Sequence, residues 1–211
     1  MNKQEETLAT WNKVAKLYEE KFMPLDLYND SYDLFCAALQ NETAAVLDVA
    51  CGPGNITKYL LNKIQSLQID AIDFSPNMIN LAQANNQTAN CFVMDCRDIH
   101  KLPKKYDGIV CGFGLPYLSD VECENFIANA GMLLQSNGVL YISFVAGNYA
   151  DSGFKTASTG DRTYFYYHTL QTMMTILKET GFVIVESLNL KYNNPNPPTE
   201  THSIFIARKM R

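Results

Sequence analysis

Apolar positions along the chain set out an order of elements. Between residues 6 and 22, Leu8, Trp11, Ala15, Tyr18 and Phe22 recur three or four apart, which predicts a helix, and residues 25–39 read as a second one. The period then switches repeatedly. Residues 44–50 form a short apolar run, 56–64 are helical, and 67–74 read as a strand closed by Ser75-Pro76. Serine as a cap with proline in the first turn predicts a helix over 77–84.

Further strands are expected at 90–94, 107–112 and 139–145, with a helix over 120–134 stopped near Ser136-Asn137-Gly138. Alternation of this kind predicts a parallel sheet with helices on both faces. The ending departs from it. A helix over 169–179 is stopped by Gly181, and strands at 182–190 and 202–209 follow with no helix between them. The intervening stretch, which holds Pro195, Pro197 and Pro198, is too short for a crossover helix, so these two strands are expected to pair antiparallel.

Composition narrows the partners. With 17 basic and 22 acidic residues the 211-residue chain carries a net charge of −5, which disfavours a nucleic-acid or anionic-membrane surface. The apolar run at 139–146 is too short to span a bilayer, and the polar start has no signal core. Six cysteines without a CxxC pair read as buried, reduced thiols, so a cytoplasmic location is expected. Twelve tyrosines and eleven phenylalanines against one tryptophan call for hydrogen-bonded core sites or a ring-lined pocket.

The candidate chemistry begins at Asp48-Val49-Ala50-Cys51-Gly52-Pro53-Gly54, a glycine turn between a buried strand and a helix, where backbone N–H groups can approach a ligand closely. A phosphate-binding P-loop fails, because Thr57-Lys58-Tyr59 stands where Gly-Lys-Ser/Thr is needed. A dinucleotide fingerprint lacks its third glycine, since position 57 is threonine. Asp73, 21 residues after Gly52, suits any ribose-binding doubly wound fold.

Taken together, the glycine turn, Asp73-Phe74-Ser75-Pro76-Asn77-Met78, Asp95-Cys96-Arg97-Asp98 and Tyr106-Asp107-Gly108 resemble class I S-adenosylmethionine-dependent methyltransferases. Trp11, Ala15 and Tyr18 resemble the helical cap of the small-molecule branch. The resemblance covers nearly the whole chain. It implies an α/β, doubly wound, seven-stranded and mostly parallel sheet with a C-terminal antiparallel hairpin and an N-terminal helical cap. A single domain would divide into cap (1–40), cofactor-binding core (41–145), lid (146–167) and C-terminal helix and hairpin (168–211).

The implied cofactor is S-adenosyl-L-methionine, leaving as S-adenosyl-L-homocysteine. Asp73 would accept both ribose hydroxyls, with Phe74 on the adenine face and Met78 among the cofactor contacts. Asp95 would accept the adenine amino group and the Cys96 N–H would meet a ring nitrogen; the other reading of Asp95 is a turn cap. Ala50, Gly52 and Gly54 would admit the methionine portion, Asp48 would orient the turn, and Gly112 and Phe113 would close the far side. Tyr18 is either a cofactor contact or core. For the acceptor, Trp11, Tyr117, Tyr149 and Tyr166 are the candidate contacts, and residues 146–162, without clear periodicity, read as a lid. His168 is the candidate general base, its alternative being a helix cap or surface residue. No metal site is expected. Gly114-Leu115-Pro116-Tyr117 lacks the Asn/Asp-Pro-Pro-Tyr of nucleic-acid amino-methylating enzymes, so the acceptor is expected to be a small molecule, with no nucleic-acid or membrane partner. A binding module without turnover, an aminopropyltransferase and an NAD-dependent oxidoreductase are the competing readings.

Overall fold

Alternation along the first strand, β1 (Ala45–Val49), creates the layers. Val46 joins an apolar cluster with Phe35, Ile56 and Leu60, whereas Leu47 and Val49 join a second cluster with Phe126, Ile127 and Leu177. The computed structural model describes residues 2–157, 160–192 and 200–210. Two helices precede β1, α1 (Lys3–Phe22) and α2 (Asn29–Ala38). Asn2 caps α1 by accepting from Gln4 N and Glu5 N, and Glu5 returns a bond to the Asn2 N–H.

After β1 come α3 (Asn55–Lys63), β2 (Gln68–Asp73), α4 (Pro76–Asn85) and β3 (Asn90–Val93). Ser75 Oγ accepts from Met78 N at the start of α4, as the Ser-Pro signal implies. The chain then crosses to the other side of β1 through β4 (Tyr106–Gly112), α5 (Asp120–Leu133) and β5 (Leu134–Val145). With α6 (Leu170–Glu179), β8 (Phe182–Tyr192) and β9 (Glu200–Lys209), the seven strands run in the order β3-β2-β1-β4-β5-β9-β8. Pairing is parallel from β3 to β5 and antiparallel for β5 with β9 and β9 with β8. The strand order reverses between β1 and β4, and open α/β sheets bind ligands at the carboxyl ends beside such a switch.

Two stretches differ from the sequence expectation. The stretch expected as an irregular lid from residue 146 to 162 carries β6 (Gly153–Thr156), which forms a hairpin with β7 (Arg162–Phe165). It leans on α1: Thr10 Oγ1 donates to Arg162 O at 2.7 Å, and Tyr164 N donates to Thr7 Oγ1 at 3.0 Å. Strands of only four residues, with Phe154 alone apolar in β6 and Tyr164 and Phe165 adjacent in β7, leave no period-2 signal, which is why the pattern missed them. Residues 158–159 of that stretch, and 193–199 of the Pro-rich connection, lie outside the described residues. Second, α5 ends at Leu133 and Gly138 lies within β5; Asn137, at φ +62°, takes the left-handed position where the register against β4 slips. No helix among the described residues is long and apolar enough to cross a membrane.

Candidate active site

The turn leaving β1 is held from below. Asp48, fully buried, accepts from Thr57 N at 3.1 Å and from Thr57 Oγ1 at 2.6 Å through Oδ2, tying the strand to the first turn of α3. Its other oxygen, Oδ1, finds no hydrogen-bond partner among the described residues. Burial pushes the carboxyl up to about 7 despite the Thr57 bonds. Above it Ala50 and Gly52 both take positive φ, +55° and +54°, and the Gly52 N–H donates to Asp73 Oδ2 at 3.0 Å. Gly54 serves packing: at φ +82° a Cβ there would stand 2.3 Å from Asn86 Nδ2 and 3.2 Å from Ala82 Cα, so glycine permits α3 and α4 to approach.

Asp73 closes β2. Its Oδ1 accepts from Ser75 N at 2.9 Å, and with Gly52 on Oδ2 each oxygen keeps further acceptor capacity. Burial moves this carboxyl up to about 6, its backbone hydrogen bonds opposing the shift and nearby Asp95 adding to it. The group faces a slot of about 70 Å³ whose walls include Phe74, Met78, Gly52 and Phe113. Phe113, at φ +58°, is fixed by donation from its N–H to Ser143 Oγ at 2.9 Å.

Across a partition of rings lies a larger cavity of about 420 Å³. Trp11 forms the partition with Tyr18 and Tyr117, edge-on to both at centroid separations of 5.3 and 5.7 Å, and all three rings border both spaces, as do Ala50, Gly52, Gly112 and Phe113. The structure therefore brings together ten of the residues proposed from sequence: Trp11, Tyr18, Ala50, Gly52, Asp73, Phe74, Met78, Gly112, Phe113 and Tyr117.

Other proposed residues lie elsewhere. Asp95 caps the 3₁₀ turn that follows β3, accepting from Arg97 N at 2.9 Å and pairing with the Arg97 guanidinium at 3.1 Å. It borders a separate small cavity of about 30 Å³ that it shares with Phe74, Tyr117 and Tyr166. Cys96 turns its thiol toward Asp95 Oδ1, 3.6 Å away, and packs against the core. Tyr166 is bonded to Lys3 and stacked on Tyr149, and neither tyrosine borders the large cavity.

His168 also departs from its proposed place. It is fully buried, with Nδ1 2.8 Å from Asp120 Oδ1 and Nε2 3.0 Å from the Leu115 carbonyl, and it does not border the cavity. A ring with both nitrogens engaged in the core joins α5 to the segment before α6; it is not positioned as a base.

Sequence reasoning missed Tyr192, Glu200 and His202, which border the large cavity together with Tyr28. Glu200 and His202 stand two apart on β9, a spacing that places both side chains on one face of a strand and was the available signal. The His202 ring stacks on Tyr192 at 4.9 Å and meets Phe113 edge-on at 4.8 Å.

Residues 46–138 match the family model described as a methyltransferase domain. The chain is 30% identical over 105 residues to a malonyl-[acyl-carrier protein] O-methyltransferase of Bacillus anthracis, an alignment covering 49% of this chain and 38% of that protein. Three such curated relatives are each spanned over less than half their own length. In fold, the chain is similar to an S-adenosylmethionine-dependent methyltransferase from Methanosarcina mazei, with TM-score 0.72 and 19% identity over 88% of this chain and 99% of that one. It is also similar to magnesium protoporphyrin IX methyltransferase from Synechocystis PCC 6803, with TM-score 0.71 and 18% identity over 98% and 97%. The glycine turn and Asp73 fall inside the segment that matches the methyltransferase-domain model, and the sheet that carries them has the fold of these S-adenosylmethionine-dependent methyltransferase structures.

Proposed function

We propose that this protein transfers a methyl group from S-adenosylmethionine to a small-molecule acceptor held in the ring-walled cavity. The observation that carries the reading is the pairing of two spaces across one partition: a slot headed by a buried carboxylate, and a cavity of a volume typical for small-molecule sites. The residues of the slot suit the cofactor. Asp73 retains acceptor capacity for two ribose hydroxyls, Phe74 and Met78 offer apolar contact to adenine, and Gly52 leaves open the space that a side chain on the turn would take up beside Tyr18. The name of the protoporphyrin methyltransferase supports an acceptor of the small-molecule kind.

When bound, the cofactor supplies a methyl group on a sulfonium, an electrophile that already carries a good leaving group. The protein's share is then alignment and exclusion of water. Asp48 holds the turn rigid through Thr57. The cap helix α1 is fixed over the site by Asn12, whose Oδ1 accepts from Ser75 Oγ and Asn77 N, each at 3.0 Å. Trp11, Tyr18 and Tyr117 keep the space between slot and cavity apolar.

Calorimetric titration tests the reading. S-adenosylhomocysteine is expected to bind and NAD is not. Loss of hydrogen bonds to a charged group costs roughly 1.5–3 kcal/mol, so Asp73→Ala is expected to weaken binding by about 10- to 100-fold. Circular dichroism guards against a collapsed turn. Unchanged affinity in a folded Asp73→Ala protein would show the slot assignment to be wrong.

A further inference from the structure

The last strand brings an imidazole to the carboxyl edge of the sheet. His202 on β9 pairs with Val145 at the end of β5, so it arrives beside Phe113 although the two positions are 89 apart in the chain. It is 6% exposed. Its Nδ1 stands 2.7 Å from Tyr28 Oη and its Nε2 3.3 Å from Glu200 Oε2. These contacts order the protons. The geometry suits the tautomer in which Nε2–H donates to Glu200 and Nδ1 accepts from the Tyr28 hydroxyl. Burial holds the Tyr28 phenol far above its usual range, so it stays an O–H that can pass a proton on.

The cavity walls define what this device would act upon. Both bordering carboxylates are engaged, Glu200 with His202 and Asp161 with Lys13 at 2.8 Å. Lys21 and Lys155 border the same space, which disfavours a cationic amine and favours an acceptor that becomes anionic. Rings from Tyr18, Phe113, Phe165 and Tyr192 offer faces and edges to a planar ligand.

Resting on the reading that this cavity receives the methyl acceptor, we propose that Tyr28, His202 and Glu200 form a proton relay that ionises an aromatic hydroxyl. The acceptor's O–H bond breaks and its proton goes to Tyr28 Oη, while the proton of Tyr28 moves to His202 Nδ1. A phenolate then stands in the cavity, and the imidazolium is held by Glu200. Tyr28 is the catalytic residue of the three; His202 and Glu200 act through it as positioning residues.

The probe is 4-nitrophenol, whose phenol and phenolate absorb at well-separated wavelengths. The full chain is titrated with it below the probe's own pKa, with and without S-adenosylhomocysteine. The bound probe is expected to show a phenolate-to-phenol ratio about tenfold above that in solution. Tyr28→Phe, which keeps the ring and its packing, and His202→Gln are each expected to return the ratio most of the way to the solution value, with probe affinity within about threefold. Glu200→Gln is expected to lower it in part. A probe that fails to bind, binds as the neutral phenol, or keeps its phenolate band in a folded Tyr28→Phe protein overturns the relay. If S-adenosylhomocysteine does not bind while the phenolate band responds to the variants, the relay stands and the methyl-transfer reading falls.

Discussion

Asp48 makes a quantitative demand on stability. Its carboxyl has no exposure, one oxygen without a hydrogen bond, and a pKa moved from 3.8 to about 7, chiefly by burial. A group whose pKa is raised by folding favours the native state at low pH, and that contribution disappears as pH rises through the folded value. At about 1.4 kcal/mol per pH unit, the cost of keeping Asp48 in the fold is on the order of 2 kcal/mol near pH 5 and on the order of 4 kcal/mol near pH 8. Asp48→Asn keeps an oxygen for Thr57 and removes the charge; its amide hydrogens carry their own desolvation penalty, of about 1–3 kcal/mol, which does not vary with pH. The wild-type protein is therefore expected to lose about 2–3 kcal/mol more than Asp48→Asn between these two conditions. Urea denaturation of both proteins at both pH values, with slopes compared to confirm the same unfolded state, reads this difference directly. An equal change in the two proteins would refute the burial argument.

Three further outcomes are expected. Gly54→Ala combines a left-handed backbone with a Cβ 2.3 Å from Asn86 Nδ2 and is expected to destabilise by roughly 2–4 kcal/mol, read as a lower melting temperature. His168→Gln is expected to cost about 2–3 kcal/mol in urea denaturation, because it disturbs a buried contact with Asp120 and Leu115, and to leave S-adenosylhomocysteine affinity unchanged; a folded, stable variant with altered affinity would return His168 to the site. Since burial holds Asp73 at about 6, and hydroxyl donors favour its ionised form, affinity for S-adenosylhomocysteine is expected to rise with pH and level off above about 6. Asp73→Asn should remove that rise, and a rise that persists would assign it to another group.

The elements from β1 to α4 were legible because their signals are local. A strand of five residues, a glycine turn, a serine cap and a proline in the first helical turn each act within a few positions, and each occurs where the pattern places it. The antiparallel ending was legible for the same reason: a connection too short for a helix forces the choice. The β6–β7 hairpin was not. Its strands are held by contacts to α1, and Thr7 and Thr10 lie about 150 residues earlier in the chain.

The same division runs through the site. Asp73, Gly52 and Ala50 belong to one crossover unit, so spacing alone groups them, and the slot they form needs little from the rest of the fold. His168 and His202 show what spacing lacks. The first sits next to a run of tyrosines and invites a role in the cavity, yet contacts with Asp120 at the start of α5 and with the Leu115 carbonyl draw its ring into the core. The second sits in a strand that reads as plain structure. Insertion of β9 between β5 and β8 carries it to the ligand edge, where Tyr28 arrives from the start of α2 and Glu200 from its own strand. Which histidine meets the cavity is thus decided by the order of the last two strands. If β8 rather than β9 lay against β5, with the chain otherwise unchanged, His202 would stand at the outer edge of the sheet, away from Phe113, and the cavity would hold no imidazole from among the described residues.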